Sequence, residues 1–359
     1  MEHNFIRIGI TQGDPNGIGL ELIQKACSQE SLMKHIIPVL YASPRSYVYY
    51  KKLLEALEFQ APKYHLVTGV AEAQPGRLNL MVSSEKPLDI EPGKPDPLAG
   101  AEALASLKAC LQDASAGKLD AIVTAPLDKS TVAANEPGFT GHTGYIAKAL
   151  GIDLHTMMLV SDNLRVALAT EHLPLAAVSS SLNRELLLAR IRLIHETLRR
   201  DFAVGRPKIA VLGLNPHAGD SGLLGSEETD IIKPVVSDAL AQDMLVYGPY
   251  SADAFFGSGN YRNFDAILAM YHDQGLIPFK TEAFYDGVNY TAGLPVVRTS
   301  PDHGTAYDLA GKGEASPASL IQAMLDAVSI VRNRRLYDTG KETFLPFAEM
   351  KRERFRIDF

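Results

Sequence analysis

Tryptophan is absent from the 359 residues, and cysteine occurs only twice, at Cys27 and Cys110. The two thiols sit in separate helical patterns and form no C-x-x-C, which excludes a disulfide framework and fits a reducing cytoplasm. No apolar run is long enough to span a bilayer, so no membrane association is expected. The opening MEHNFIRIGI passes almost directly into a strand-like segment and lacks the charged-then-apolar signature of a secretion signal. Positive charge is not in excess. With 35 Lys+Arg against 42 Asp+Glu the formal net charge is -7, the pI is about 5.8, and there is no basic stripe to bind nucleic acid. Low-complexity tracts and short internal repeats are also missing. So is a Walker sequence, and so is a G-x-G-x-x-G fingerprint. The nearest approach to that fingerprint, Gly257-Ser-Gly-Asn-Tyr-Arg262, ends in Arg, follows no convincing strand and reads as a loop. What remains is ordinary globular composition, 46% hydrophobic and 21% charged, in a chain long enough for two domains or one large α/β unit.

Short apolar runs alternate with helical patterns. FIRIGI (5–10), IIPVLYA (36–42), AIVTAP (121–126), MMLV (157–160), VALAT (166–170), KIAVLGL (208–214), AILAM (266–270) and VVRT (296–299) read as strands. Helical patterns run from Ile18 to Cys27, Tyr47 to Leu57, Pro97 to Ala114, Asn183 to Arg200, Thr229 to Ala241 and Pro317 to Arg334. In the fourth of these, Leu187, Ile191, Ile194 and Leu198 fall on one helix face. Such alternation implies mainly parallel sheet with helices on both faces, and ligands beyond the carboxyl ends of strands. A crossover near residue 130 and a return near residue 300 would give one domain from 1–130 plus 300–359 and a second from 131–299.

Polar clusters after strands are therefore where chemistry is expected. Of ten histidines, His3, His35, His65, His155 and His195 fall near a terminus or on helix or loop surfaces. His172 follows VALAT, His217 follows KIAVLGL and His272 follows AILAM, so three imidazoles could converge on one divalent ion with a coordination position left open. The alternative at each is a structural histidine. In AMYHDQG (269–275), Gly275 is read as the residue that lets the chain turn sharply after the strand. His142 lies in FTGHTG (139–144), near the start of a probable helix. Lys280, Asn289 and Arg298 follow His272 at nine-residue intervals; Arg grips phosphate or carboxylate through two parallel bonds, and Lys offers a point charge. Three solvated surface residues are the competing reading. TQGDPNGIG (11–19) joins strand to helix like a glycine-rich anion-binding turn.

Together GDPNGIG (13–19), TGHTG (140–144), TEHLPL (170–175), LNPHAGD (214–220), YHDQG (271–275) and RTSPDHGTA (298–306) resemble the 4-hydroxythreonine-4-phosphate dehydrogenase family of pyridoxal phosphate biosynthesis. HGTAYDLAGKG (303–313) is similar to the cofactor loop of the isocitrate and isopropylmalate dehydrogenases. The resemblance implies their fold, two α/β/α domains around a cleft, and a NAD or NADP site that is not Rossmann-type. It implies one divalent metal (zinc, magnesium or cobalt) held by His172, His217 and His272, contributed by both subunits of a homodimer. Substrate contacts fall on His142, Thr143, Lys280, Asn289 and Arg298. Cofactor contacts fall on His303, Gly304, Thr305, Ala306 and Asp308. For proton transfer, Lys280, Asp253 and Asp273 all remain open, with Asp273 also placed to orient the His272 ring.

The implied substrate is a small phosphorylated hydroxy amino acid, 4-phosphooxy-L-threonine, oxidised at C3 and then decarboxylated to 3-amino-2-oxopropyl phosphate. Gly144-Tyr145 stands where a Glu-Phe pair is more usual, and Tyr285-Asp286 before Gly287 is less typical. These departures bear on pocket shape, which leaves three alternatives. One is the same fold acting on threonate or erythronate phosphate or on a dihydrodiol carboxylate. The others are a metal-dependent phosphohydrolase and a non-catalytic binding protein.

Overall fold

The computed structural model describes residues 5–343, so the ends of the expected first domain, 1–4 and 344–359, and with them His3, lie outside the described residues. Twelve strands form one sheet: β1 (Ile6–Thr11), β2 (Ile36–Ala42), β3 (Tyr64–Val67), β4 (Leu78–Val82), β5 (Ala121–Thr124), β6 (Thr156–Val160), β7 (Arg165–Leu168), β8 (Lys208–Leu212), β9 (Leu245–Tyr250), β10 (Ala266–Ala269), β11 (Val288–Ala292) and β12 (Val297–Pro301). Their order is β3-β4-β2-β1-β5-β12-β11-β6-β7-β10-β8-β9. The helices are α1 (Gly19–Ala26), α2 (Glu30–Met33), α3 (Pro44–Ala56), α4 (Pro97–Ser115), α5 (Lys129–Ala133), α6 (His142–Ala149), α7 (Leu175–Ser181), α8 (Arg184–Arg200), α9 (Lys233–Leu240), α10 (Ala252–Gly257), α11 (His272–Glu282) and α12 (Ala318–Thr343). None is long and apolar enough to cross a membrane, among the described residues.

Most pairings are parallel, as the alternation of strand and helix requires. The middle departs from that expectation: β12–β11, β11–β6 and β6–β7 are antiparallel. These reversals make the set from β3 to β12 and the set from β7 to β9 run in opposite directions.

The alternation of side chains along each strand divides the core. One sheet face carries a continuous core, from Ile8 and Ile10 on β1 through α1, α8 and α12 to Leu268 on β10. The other face carries two separate cores. Val39, Tyr41 and Ile122 pack with α4 and α6 over the first half. Leu159, Leu168, Leu212, Ile267 and Phe279 pack with α11 over the second. This is the two-lobed α/β arrangement around a cleft.

Local chemistry fixes the helix ends. Asp96 caps α4 by accepting the Leu98 N–H at 2.8 Å, and Pro97 occupies the first turn. Asn183 caps α8 in the same way through Leu186, and the expected face Leu187, Ile191, Ile194 and Leu198 is fully buried. On α12, Arg334 reaches across to Asp201, just after α8, with Nε 2.6 Å from Oδ1. Both cysteines are free and buried, as their helical contexts imply.

Candidate functional site

His272 is the first residue of α11, immediately beyond β10. Its aim is set by its neighbours. Nδ1 lies 2.7 Å from Asp273 Oδ1, which leaves Nε2 as the nitrogen free to bind. Gln274 staples the turn, accepting the Met270 N–H at 2.7 Å and donating to the Gly213 carbonyl at 2.6 Å. Gly275 serves packing rather than turning: a Cβ there would lie 2.7 Å from Val166 Cγ1 and 3.0 Å from Ala269 Cβ.

β7, β10 and β8 are adjacent in the sheet, so His172, His272 and His217 follow three neighbouring strands. His172 and His272 come together, with ring centres 5.6 Å apart. Burial and the nearby Lys129 charge hold the His172 imidazole below its ordinary value, so it stays neutral and able to ligate at neutral pH. His217 does not line the same cleft. It begins a run, His217 to Ser221, with φ between 41° and 81°. Four of those residues are not glycine, and each bears a left-handed conformation costing about 1–2 kcal/mol. Asn215 braces the run, its N–H donating to Glu228 at 2.7 Å and its side chain donating to Glu227 at 2.8 Å. Near His217 stands Asp253, whose carboxylate is held below its usual range by the Ser251 hydroxyl at 2.6 Å and, more weakly, by His217. Among the described residues no group of three or more His, Cys, Asp or Glu is arranged to hold a metal ion. One chain thus brings together a pair of imidazoles and, elsewhere, a third imidazole with a carboxylate.

His172 of this pair lines a cleft of about 370 Å³ that crosses the antiparallel middle of the sheet, whereas His272 and Lys280 are not among its lining residues. His142, Thr143, Asn289, Arg298, His303 and Gly304 also line it. Arg298 is only 2% exposed. Its guanidinium donates to Thr124 Oγ1 at 2.7 Å and Thr291 Oγ1 at 3.2 Å. Burial lowers it to about 10, so it remains charged at neutral pH. Its Nε has no partner, and neither have Asn289 Oδ1, His142 Nε2 and His303 Nε2. Buried polar atoms are rarely left so, and these four, with His155 Nδ1 as a fifth around the same cleft, point to a polar ligand that completes them. Burial, Arg298 and Lys129 together hold the His142 imidazole well below its ordinary value, so it is neutral and Nε2 can meet a ligand hydroxyl or N–H. His142 opens α6 behind Gly141, and no side chain caps the first turn of that helix.

Lys280, on α11, pairs with Asp302 at 3.2 Å. The expected cofactor residues divide. His303 and Gly304 line the cleft. Thr305 turns its carbonyl to the Ile18 N–H at 3.1 Å, Ala306 has φ 42°, and Asp308 is exposed away from the cleft.

The glycine-rich turn at 13–19 is not an anion cradle. Its amides are consumed internally: Asp14 N–H by Pro126, Asn16 N–H by Asp14 Oδ1, Gly17 N–H by Asp14 and Ile18 N–H by Thr305. The turn instead clasps neighbouring loops, since Asn16 also holds Glu91 N–H and the Lys94 carbonyl and Tyr307 donates to Asp14 at 2.8 Å. His155, expected on a surface, lines the cleft with Nδ1 buried and unpartnered. Lys129, Glu171, Asp302 and Thr124 were not anticipated either. Thr124, at the end of a clear strand run, Glu171, beside His172, and Asp302, beside His303, carry a local signal; Lys129 carries none.

A family model described as "Pyridoxal phosphate biosynthetic protein PdxA" matches residues 34–327. The chain is 48% identical over 336 residues to 4-hydroxythreonine-4-phosphate dehydrogenase of Bacteroides thetaiotaomicron, spanning 93% of this chain and 91% of that one. It is 37% identical to the enzyme of the same name from a Sulfurihydrogenibium species, spanning 92% and 100%. The crystal structure of 4-hydroxythreonine-4-phosphate dehydrogenase from Klebsiella pneumoniae superposes with a TM-score of 0.79 at 34% identity, over 91% and 98% of the two chains. A terephthalate 1,2-cis-dihydrodiol dehydrogenase from Burkholderia xenovorans superposes with a TM-score of 0.61 at 28% identity, over 91% and 98%.

Proposed function

The chain belongs to the PdxA family of pyridoxal phosphate biosynthetic proteins, and from that premise we propose that its cleft oxidises 4-phosphooxy-L-threonine at C3 and releases carbon dioxide. It is an oxidoreductase acting on a CH–OH group, a 4-hydroxythreonine-4-phosphate dehydrogenase by its relatives. The observation that carries the substrate reading is the convergence of a buried, carboxylate-free Arg298 with unpartnered atoms of Asn289 and His142 beside the His172–His272 pair. A substrate with two anionic ends and a hydroxyl between them matches that set.

Of zinc, magnesium and cobalt, a donor set of imidazoles fits zinc or cobalt, and fits magnesium, which takes oxygen ligands, poorly. His172 and His272 would hold one such ion with His217 of a second copy, which makes the working enzyme a homodimer and brings Asp253 of that copy along. When bound, the ion supplies Lewis acidity at the alcohol oxygen, and NAD or NADP at the His303–Asp308 segment accepts the hydride. The remaining work belongs to the chain. Arg298, Asn289, His142 and Thr143 fix the anionic ends, and Lys280 stands over them as a point charge. Asp273 Oδ1 is committed to the His272 ring and Lys280 Nζ to Asp302. Asp253 Oδ1 likewise accepts from the Ser251 hydroxyl at 2.6 Å, so each of the three candidates must release a present partner before it can take the C3 hydroxyl proton, and all three stay candidates. Loss of the carboxylate as carbon dioxide then leaves an enolate whose protonation gives 3-amino-2-oxopropyl phosphate. We take the cleft to separate a domain of 1–130 plus 300–359, as far as it is described, from one of 131–299, with α6 of the second stretch packing in the core of the first, and the free buried thiols to suit the cytoplasm.

A second reading is favoured by one observation: a dihydrodiol dehydrogenase shares the fold. Incubating the purified enzyme, a divalent ion and NAD⁺ or NADP⁺ with 4-phosphooxy-L-threonine, threonate and erythronate 4-phosphate, and a dihydrodiol carboxylate separates the readings. We expect reduced nicotinamide and carbon dioxide from the first substrate with the highest kcat/KM. Preference for another substrate would move the assignment within the fold, and phosphate release without nicotinamide would replace it with a hydrolase.

A further inference from the structure

Lys280 and Asp302 come from opposite lobes. Lys280 rides on α11, whose Phe279 is buried in the core of the second lobe. Asp302 directly follows β12, which pairs with β5 of the first lobe. The ammonium and carboxylate meet at 3.2 Å, with 41% and 19% of the side chains exposed. Asp302 continues the strand alternation of Arg298 and Ser300, and all three line the cleft. It also stands directly before His303 and senses the His272 and His303 rings. Its carboxylate is thus placed where substrate, cofactor segment and the imidazole pair adjoin.

A flexible lysine stem samples many rotamers when its head is unheld. Something must hold its head over the substrate if it is to act as a fixed charge. We propose that Asp302 is a positioning residue for the dehydrogenase reaction, its carboxylate holding the Lys280 ammonium in place across the cleft. This rests on the reading of Lys280 as a substrate contact. The opposite arrangement, in which Asp302 competes with the substrate for Lys280, predicts the reverse sign and is separated by the same experiment.

The test is a double-mutant cycle on the full-length, metal-loaded enzyme with 4-phosphooxy-L-threonine, comparing D302N, K280M and the double variant, with D302E as a conservative rescue. D302N should lower kcat/KM about tenfold or more, in line with the penalty for a misplaced contact. Its metal content should be unchanged, and D302E should recover part of the loss. In the K280M background D302N should change kcat/KM by less than about twofold, because a residue that acts only through Lys280 has nothing left to position. A merely structural Asp302 would lower activity equally in both backgrounds, and that result overturns the inference. So does a fall in KM for D302N, which marks competition, or a loss of bound metal, which marks Asp302 as part of the metal site. If K280M matches wild type, the role given to Lys280 fails first. If K280M is impaired while D302N is not, only this inference fails. Should D302N not fold, D302E runs through the same cycle, with a loss expected alone and none in K280M.

Discussion

The Ile18 N–H donates to the Thr305 carbonyl at 3.1 Å, pinning the glycine-rich turn of the first lobe to the segment that carries His303. Gly17 makes the approach possible, for a Cβ there would lie 2.9 Å from that same oxygen. The φ of Gly17 is not positive, so the requirement is for space alone. Gly17→Ala should therefore push Thr305 away and lower stability by about 1–3 kcal/mol, read by urea unfolding. If the segment holds the nicotinamide cofactor, KM for NAD(P)⁺ should rise more than KM for the phosphorylated substrate. Equal changes in both would detach the segment from the cofactor.

Arg298 is a buried cation with no carboxylate partner among the described residues. An anion that binds it should stabilise the fold by mass action. Inorganic phosphate should raise the melting temperature of wild type and have little effect on Arg298→Lys. The lysine keeps the charge but cannot bond Thr124, Thr291 and a ligand from one head group. With a charged hydrogen bond worth about 1.5–3 kcal/mol, kcat/KM should fall about 10- to 100-fold. An unchanged enzyme would mean the anion is gripped elsewhere.

Asp326 on α12 gives a pH signature unrelated to catalysis. Burial, with Asp162 and Asp286 nearby, pushes its carboxyl up to about 6, against the Gln322 bond at 2.8 Å. The folded pKa is raised above the unfolded value of about 3.9. The stability it lends is therefore full below about pH 4 and is lost as pH rises through about 6. Asp326→Asn should gain about 1 kcal/mol on wild type between pH 5 and pH 8, measured by denaturant unfolding at both. A constant difference between the two proteins would show that Asp326 does not titrate in this window.

Much of this was legible in the chain because local pattern and final packing agree. The β5 and β10 runs are short and almost wholly apolar, the β1 and β8 runs are apolar apart from Arg7 and Lys208 near their starts, and the α8 face repeats at helical spacing, so local pattern marks each of them. β3 (YHLV) and β11 (VNYTA) are short and mixed in polarity, and β9 carries Gly248-Pro249, so periodicity passes over them. The antiparallel middle is a matter of pairing between distant segments, which no single run encodes. The same holds for the site. His172 and His272 were visible because each ends a strand. Asp302 stands beside His303, but its pairing with a lysine 22 positions earlier is written in no local run, and Lys129 gains its meaning only from Gly141 and the cleft beyond it. The glycine-rich turn misled because spacing does not say whether a ligand or the protein's own carbonyls will take its amides.

The central claim is that a metal-dependent dehydrogenase site is completed between two chains, and subunit mixing tests it most directly. His217→Ala and His272→Ala should each lose bound metal and turnover when purified alone. Unfolded together and refolded, half of the dimers should be mixed, each with one intact site of two, so about a quarter of wild-type activity should return. Persistent inactivity of the refolded mixture, or a His217→Ala enzyme that turns over normally by itself, would contradict the account.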